Sequence, residues 1–265
     1  MAKFAGLALL IAAGCGRFYF DDRHTDAARP TDAALDTGHA IPTAGCVLHY
    51  EMDEASWAGG VIDSCGAHTG TAQNGASIVD DPTRGRVGSF VGGTSCVTTP
   101  DAVDLHMAGG LTISAWIHST SIPPGNPDSY GVVAKRVSFD QAAEYDMWID
   151  TMDHITVDID TENDRAADPS SDYVNRWRQI TLVYDGTLAA GLRTTWFVDG
   201  VQDFASSETS STITPGVPEP DLWVGCLPLD GTAAQSMVGF IDEVVIWNRA
   251  LTGSEVATWY TDTVK

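Results

Sequence analysis

The stretch Gly239-Phe240-Ile241-Asp242-Glu243-Val244-Val245-Ile246-Trp247-Asn248-Arg249-Ala250-Leu251-Thr252 carries the strongest local signal in the chain. It reads as a closing β-strand, a tight exit and a helix start. Strict alternation sends Ile241, Glu243, Val245 and Trp247 to one face and Asp242, Val244 and Ile246 to the other. Thr252, followed three residues later by Glu255, has the spacing of a capping box. Val256, Trp259 and Tyr260 then supply an i, i+3, i+4 apolar stripe that packs a short terminal helix onto its neighbour.

Upstream of this ending the chain divides by composition. It has 265 residues and a formal net charge of −22. Such an envelope repels nucleic acid and anionic polymers and favours divalent cations. Residues 1–14 hold Lys3 and a short apolar run from Phe4 to Ala13. That run is too short for a membrane-spanning helix, which needs about 20 residues, and fits a signal peptide. Its ending, Ile11-Ala12-Ala13-Gly14-Cys15, resembles a bacterial lipobox, with Ala12 at the position usually held by Leu. The resemblance implies cleavage before Cys15 and lipidation of its thiol; ordinary secretion with an incidental Cys15 is the alternative. Several acyl chains anchor stably, each buried methylene adding about 0.8 kcal/mol. Gly16 in place of Asp after the cysteine favours the outer membrane or cell surface among envelope addresses.

Residues 15–44 read as a flexible linker. Thr-Asp-Ala-Ala occurs at Thr25 and again at Thr31, with Pro30 and Pro42 nearby, and such a segment buries too little surface to order itself. Phe18, Tyr19 and Phe20 stand out beside the cysteine, as interface anchors or as incidental aromatics. The remaining 45–265 has the size of one domain. It holds Cys46, Cys65, Cys96 and Cys226, an even count that in an exported chain points to two disulfides. Three connectivities are possible; Cys46–Cys65, closing a short loop, and Cys96–Cys226, tying distant strands, are the expected pair. Zinc is the alternative, although no C-x-x-C spacing supports it.

Short β-rich runs punctuated by Gly, Pro, Asn and Asp occupy 46–52, 87–91, 95–99, 110–118, 131–137, 144–150, 154–160, 177–184, 194–199, 221–225 and 238–247. Asp185-Gly186 and Asp199-Gly200 are turn dipeptides. Many short strands without helical periodicity predict an all-β sandwich or jelly roll with a short C-terminal helix. In order and spacing the motifs resemble laminin-G-like domains of the concanavalin A-like lectin/glucanase superfamily. The matching stretches are Tyr50-Glu51-Met52-Asp53-Glu54, Ile62-Asp63-Ser64-Cys65-Gly66 (with Cys65 where a serine is usual) and Leu111-Thr112-Ile113-Ser114-Ala115-Trp116-Ile117. Trp177-Arg178-Gln179-Ile180 running to Tyr184-Asp185-Gly186, Trp196-Phe197-Val198-Asp199-Gly200 and the closing strand complete the series. The resemblance implies a two-sheet antiparallel jelly-roll sandwich. It also implies a non-catalytic binding role, with carbohydrate or a surface protein as ligand and adhesion or polymer capture as the broader task.

Two sites follow from this reading. Concanavalin-like domains often hold a structural calcium at an outer edge, and the matching positions are Asp242 and Asp53, with the turn at Gly92–Gly93. A carboxylate that caps backbone amides is the plainer reading of Asp242. The second site comes from alternation. Tyr145, Met147 and Ile149 point one way and Glu144, Asp146, Trp148 and Asp150 the other, while Ile155, Val157 and Ile159 alternate with Thr156, Asp158 and Asp160. If these strands pair, Asp146, Trp148, Asp150, Asp158 and Asp160 form a face with one aromatic among carboxylates, which is either a sugar platform or a solvated surface. Laminarinase-type hydrolases carry Glu-x-Asp-x-Glu in a comparable strand, but Glu144-Tyr145-Asp146-Met147-Trp148 has Trp148 at the second glutamate. A hydrolase acting on β-glucan and a purely structural scaffold therefore stand as alternatives to binding. No Gly-x-Ser-x-Gly elbow, His-Glu-x-x-His helix or phosphate loop is present.

Overall fold

Leu111, Ile113, Ala115 and Ile117 lie on one side of their strand, as do Tyr145, Met147 and Ile149, and Ile180, Leu182 and Tyr184 on theirs; all belong to one buried cluster. This period-two segregation makes a sandwich, because each sheet has one apolar face to bury. The computed structural model describes residues 41–125, 129–138, 141, 143–160, 166–167, 173–206 and 210–265. The expected signal peptide, Cys15 and nearly all of the linker lie outside them.

Along the chain, β1 (Cys46–Tyr50), β2 (Thr71–Gln73), β3 (Ser77–Asp81), β4 (Gly85–Val91) and β5 (Cys96–Thr99) precede a 3-10 turn at Val103–Leu105. Next come β6 (Gly110–Ser119), β7 (Ser129–Lys135), β8 (Tyr145–Asp150), β9 (Ile155–Ile159), β10 (Ala166–Ala167) and β11 (Arg178–Asp185). The chain ends with β12 (Thr194–Val198), β13 (Val201–Ser206), β14 (Leu222–Val224), β15 (Leu227–Leu229), β16 (Thr232–Ala234), β17 (Val238–Trp247) and helix α1 (Gly253–Thr263). One sheet runs β13-β12-β11-β6-β17-β4-β3, with β1 also paired to β17, and the other runs β10-β9-β8-β7-β14-β5-β2. Neighbouring strands within both sheets are antiparallel. Each expected strand is found, and both expected disulfides form, with Cα atoms 5.8 Å apart for Cys46–Cys65 and 5.6 Å for Cys96–Cys226.

The closing strand departs from strict alternation. Asp242 pairs with Trp116 and Val245 with Ser114, so Glu243 and Val244 together oppose the single Ala115. This is a β-bulge, and Glu243 takes a left-handed φ of 51° to make it. The extra residue shifts the parity. Ile241, Val244 and Ile246 enter the core between the sheets, whereas Val245 and Trp247 join Val256 and Trp259 beneath α1. Asp242 and Glu243 follow one another onto the helix side, where Lys265 Nζ lies 3.4 Å from one and 3.6 Å from the other.

Both outer faces are thus partly covered. Helix α1 packs Val256 and Trp259 on Val183, Phe197, Val245 and Trp247. The β15–β16 hairpin lays Leu227 and Ala233 against Ala134, Trp148, Trp223 and the Cys96–Cys226 bridge. Backbone approach there is tight: a Cβ on Gly131 would sit 2.1 Å from the Cys226 carbonyl carbon.

The helix start forms as expected. Thr252 accepts from the Glu255 amide and the Glu255 carboxylate accepts from the Thr252 amide, while Arg249 grips the same carboxylate at 2.6 and 3.1 Å. The Arg249 hydrogen bonds, opposed by partial burial and joined by those from Thr252, hold the Glu255 carboxyl down to about 2. A depressed carboxyl stabilises the fold above its unfolded value and loses that contribution as pH falls through the folded one. Glu255→Ala is accordingly expected to cost about 1 kcal/mol near neutrality. In urea titrations at successive pH values the gap to the parent should close between about pH 4.5 and 2.

Candidate functional site

The expected polar face exists as a register but not as an open surface. Asp146 pairs with Asp158 and Trp148 with Thr156, which puts all four on the side of the sheet away from the core. Trp148 is only 3% exposed, packed under the β15–β16 hairpin. Asp146 and Asp158 are buried too, and the buried Arg136 donates to Asp146 Oδ2 at 2.5 Å. The sugar-platform reading of Trp148 is therefore corrected: a ring sealed by a hairpin offers no stacking face. Asp150 Oδ1 accepts from the amides of Met152 and His154 and caps the β8–β9 turn. Asp160, at φ 64°, accepts from Ser210 and Thr214 at 3.4 Å. These two carboxylates shape turns and do not join the Asp146–Trp148 group.

The expected calcium positions do come together, around cations of the chain's own. Arg84 Nε donates to Asp242 Oδ2 at 2.7 Å, and Lys265 Nζ reaches Asp242 at 3.4 Å and Asp53 at 3.3 Å. The Arg84 guanidinium also lies 4.0 Å over the Trp116 ring, which itself stacks on Tyr260. In this structure Asp53 and Asp242 are partners of an internal ion cluster, and calcium there would have to displace two held cations. Burial pushes the Asp242 carboxyl up to about 7 against the pull of Arg84 and Lys265. Burial also opposes the Lys265 ammonium, yet Asp242, Glu243 and Asp53 hold it above its ordinary range. Beside this cluster the buried Glu243 and His49 are 2.7 Å apart, and His49 Nδ1 is 2.9 Å from Ser64 Oγ, tying the Cys65 turn to the bulge. Trp116 and Trp247 are buried, while Trp177 is half-buried against His118 and Phe240.

A different group of ionisable side chains gathers where β5, β7, β8 and β14 meet their connections. Asp101 follows β5, His106 follows the 3-10 turn, Lys135 ends β7, Glu144 precedes β8 and Glu219 precedes β14. One ligand atom each from Asp101, His106 and Glu219 lies within 4.8 Å of the others, so this group could hold a metal ion. His106 Nε2 is 3.2 Å from Asp101 Oδ1, and Nδ1 is 2.9 and 3.0 Å from the two oxygens of Glu144. Glu144 is buried and also accepts from the Gly216 amide at 3.0 Å. Lys135, likewise buried, donates to Asp101 and to the Pro220 carbonyl. Burial opposes ionisation of Asp101, but the hydrogen bond and charge of Lys135, with His106 beside it, keep the carboxyl below its usual range. Leu105 anchors the turn, being buried and accepting from Tyr145 Oη at 3.0 Å. Val103 and Val217, 87% and 86% exposed, stand on the two loops that supply Asp101, His106 and Glu219. The result is a rim of partly exposed charged residues backed by buried Glu144 and Lys135, on loops that also expose Val103 and Val217.

These residues escape a linear reading because they come from three separate stretches, the β5–β6 connection, the end of β7 with the β7–β8 connection, and the segment before β14; only the strand order brings them together. Glu144 lies before β8, not within it.

The architecture defines a concanavalin A-like jelly-roll module. Residues 91–257, well over half of the chain, match the laminin-G model of the concanavalin A-like lectin/glucanases superfamily, and the chain belongs to that family. The fold is similar to domain 4 of AbnA, a GH43 extracellular arabinanase from Geobacillus stearothermophilus solved with arabinotriose. That likeness has TM-score 0.59 and 16% identity, over 84% of this chain and 99% of that one. It is also similar to the binding domain of Paraclostridial Mosquitocidal Protein 1 (TM-score 0.59, 16% identity, 82% of this chain and 52% of that one). A third likeness is to Trypanosoma rangeli sialidase (TM-score 0.57, 16% identity, 84% and 33%). This chain spans about half of the toxin fragment and a third of the sialidase. No curated protein sequence matches the chain significantly. The neighbours thus include both binding domains and a glycosidase, and the fold itself does not decide between them.

The internal ion cluster makes a pH-dependent prediction. A carboxyl raised by burial binds protons that the unfolded chain releases, so the stability it contributes is lost as pH rises through about 7. Arg84→Met should cost about 3–5 kcal/mol at alkaline pH, where Asp242 is left charged, buried and without its guanidinium. The cost should shrink in mildly acidic buffer, where Asp242 takes up a proton. Calcium added to chelator-stripped protein should leave the parent's melting temperature unmoved; a clear rise would restore the calcium reading of Asp53 and Asp242.

Proposed function

We propose that residues 45–265 act as a non-catalytic recognition module that binds carbohydrate or a surface protein at the rim formed by Asp101, His106 and Glu219. The convergence of these three partly exposed groups in front of buried Glu144 and Lys135 carries the reading. Carboxylates and an imidazole present acceptors and donors suited to hydroxyl groups. Val103 and Val217 add apolar surface for a ring face or an aliphatic side chain. Their backing is built from buried charges, so little order has to be gained on binding, which is the economy of a preformed site.

The non-catalytic part rests on Glu144 and Trp148. A retaining glycosidase needs two carboxyl groups about 5–5.5 Å apart across a substrate cleft. Glu144 is buried and committed to His106 and the Gly216 amide, and the residue at the second glutamate position is the sealed Trp148. The arabinanase domain solved with arabinotriose and the toxin binding domain lend support to recognition as a use of this sandwich. In this reading Cys15 is the lipidated anchor, residues 15–44 are the tether, and the module stands at the outer membrane or cell surface in adhesion or polymer capture. A tether of that length reaches tens of ångströms, at up to about 3.3 Å per residue.

Two experiments test this. A glycan array and a surface-protein pull-down with the purified protein should give signals that Asp101→Asn or Glu219→Gln lowers about tenfold or more. Asp80→Asn, on an exposed edge strand, should leave them unchanged; signals indifferent to the rim variants would remove the assignment. Separately, Cys15→Ser should move the protein from the membrane fraction to the soluble one, and a variant that stays in the membrane would remove the anchor.

A further inference from the structure

We propose that Asp101, His106 and Glu219 bind a divalent transition-metal ion of the zinc class through one imidazole nitrogen and two carboxylates, with a coordination position left open. This deepens the rim reading above: the use of the open position for ligand capture rests on that reading, whereas ion binding stands on the donor geometry. Donor spacing is the first argument. Two atoms each about 2.0–2.1 Å from a tetrahedral zinc lie about 3.4 Å apart. His106 Nε2 and Asp101 Oδ1 are 3.2 Å apart, so the pair needs no backbone movement to share an ion. Glu219 lies on an exposed loop, its donor within 4.8 Å of the other two.

The far side of the imidazole is the second argument. Metal-bound histidines commonly donate their other ring N–H to a carboxylate, which fixes the tautomer and raises ligand basicity. Glu144 holds that place, 2.9 Å from Nδ1, buried and pinned by the Gly216 amide. With the proton on Nδ1, the Nε2 lone pair faces Asp101 and Glu219.

Charge is the third. Asp101, Glu144 and Glu219 bring three carboxylates, and Lys135 brings one ammonium. With a neutral imidazole the group is short by two positive charges, which one dication supplies. The imidazole also selects the ion: calcium and magnesium take oxygen ligands, whereas nitrogen with carboxylates suits zinc and its first-row neighbours. Lys135 stays bonded to Asp101 and Pro220 on the buried side, so the ion sits on the solvent side and is held less tightly than in a closed four-ligand site.

Calorimetric titration of chelator-stripped protein with zinc should show one saturable site. Proton release should accompany binding wherever the free imidazole is protonated. Cobalt substitution should give visible ligand-field bands. His106→Ala should abolish the site, and the exposed Glu219→Gln, which cannot unfold the core, should weaken it about tenfold or more. His154→Ala, at a distant turn, should change nothing. The proposal is overturned if no saturable zinc site is found, if His106→Ala and Glu219→Gln bind as the parent does, or if calcium binds there as tightly as zinc. Zinc binding that leaves every glycan and protein signal unchanged keeps the metal site and sinks only its role in ligand capture.

Discussion

Placing Asp242 and Glu243 next to one another on the same side of a strand is the constraint around which much of the domain is arranged. A pleated strand sends successive side chains to opposite faces, so two adjacent carboxylates beneath one helix require the bulge and the left-handed backbone at Glu243. Two buried carboxyl groups in turn need partners. Arg84 arrives from the turn before β4, Lys265 from beyond α1 and His49 from β1. The helix, the first strand and an edge hairpin are thereby fastened to the closing strand by charge as well as by packing. Buried ion pairs add little net stability over an apolar replacement, but losing one partner is costly, and that asymmetry favours a single arrangement of the surrounding elements.

A second consequence of covering both outer faces is the location of the accessible chemistry. The β15–β16 hairpin, held close by the Cys96–Cys226 bridge and the bare Gly131 backbone, closes off Trp148. Helix α1, through Val256 and Trp259, does the same for Trp247. Polar groups that would otherwise mark a ligand face are spent on internal pairing, as Arg136 and Asp146 illustrate. The partly exposed charged residues of the rim then lie on the connections at the strand ends, where loops on a rigid scaffold commonly carry them.

Much of this architecture was legible in the sequence for physical reasons. Strands such as 110–118 and 177–184 carry β-branched and aromatic residues at period two, and their cores are buried as that period requires. The Thr252–Glu255 box is a contact between near neighbours, so spacing alone revealed it. Short polar strands such as Thr71–Gln73 and Ser77–Asp81 lack that signal and are strands because a partner recruits them. The bulge was hidden because Asp242-Glu243-Val244-Val245 alternates acceptably in either parity, and only the pairing with β6 chooses. Trp148 was misplaced for a related reason: period two identified its face, but what lies over a face is tertiary information. The rim group was unreadable for the same cause, its members being separated by up to a hundred residues and more.

Because Asp101 with His106, Glu144 and Glu219 reach the rim on different connections, the geometry there is set by several loops independently. Lengthening the one before β14 would move Glu219 while Asp101 and His106 kept their seat against Lys135 and Glu144, at the end of β7 and just before β8. An architecture of this kind separates what must be conserved for folding from what is free to vary. The sandwich can remain unaltered while successive changes in loop length reshape the arrangement of charged groups at the rim, a division of labour between scaffold and edge.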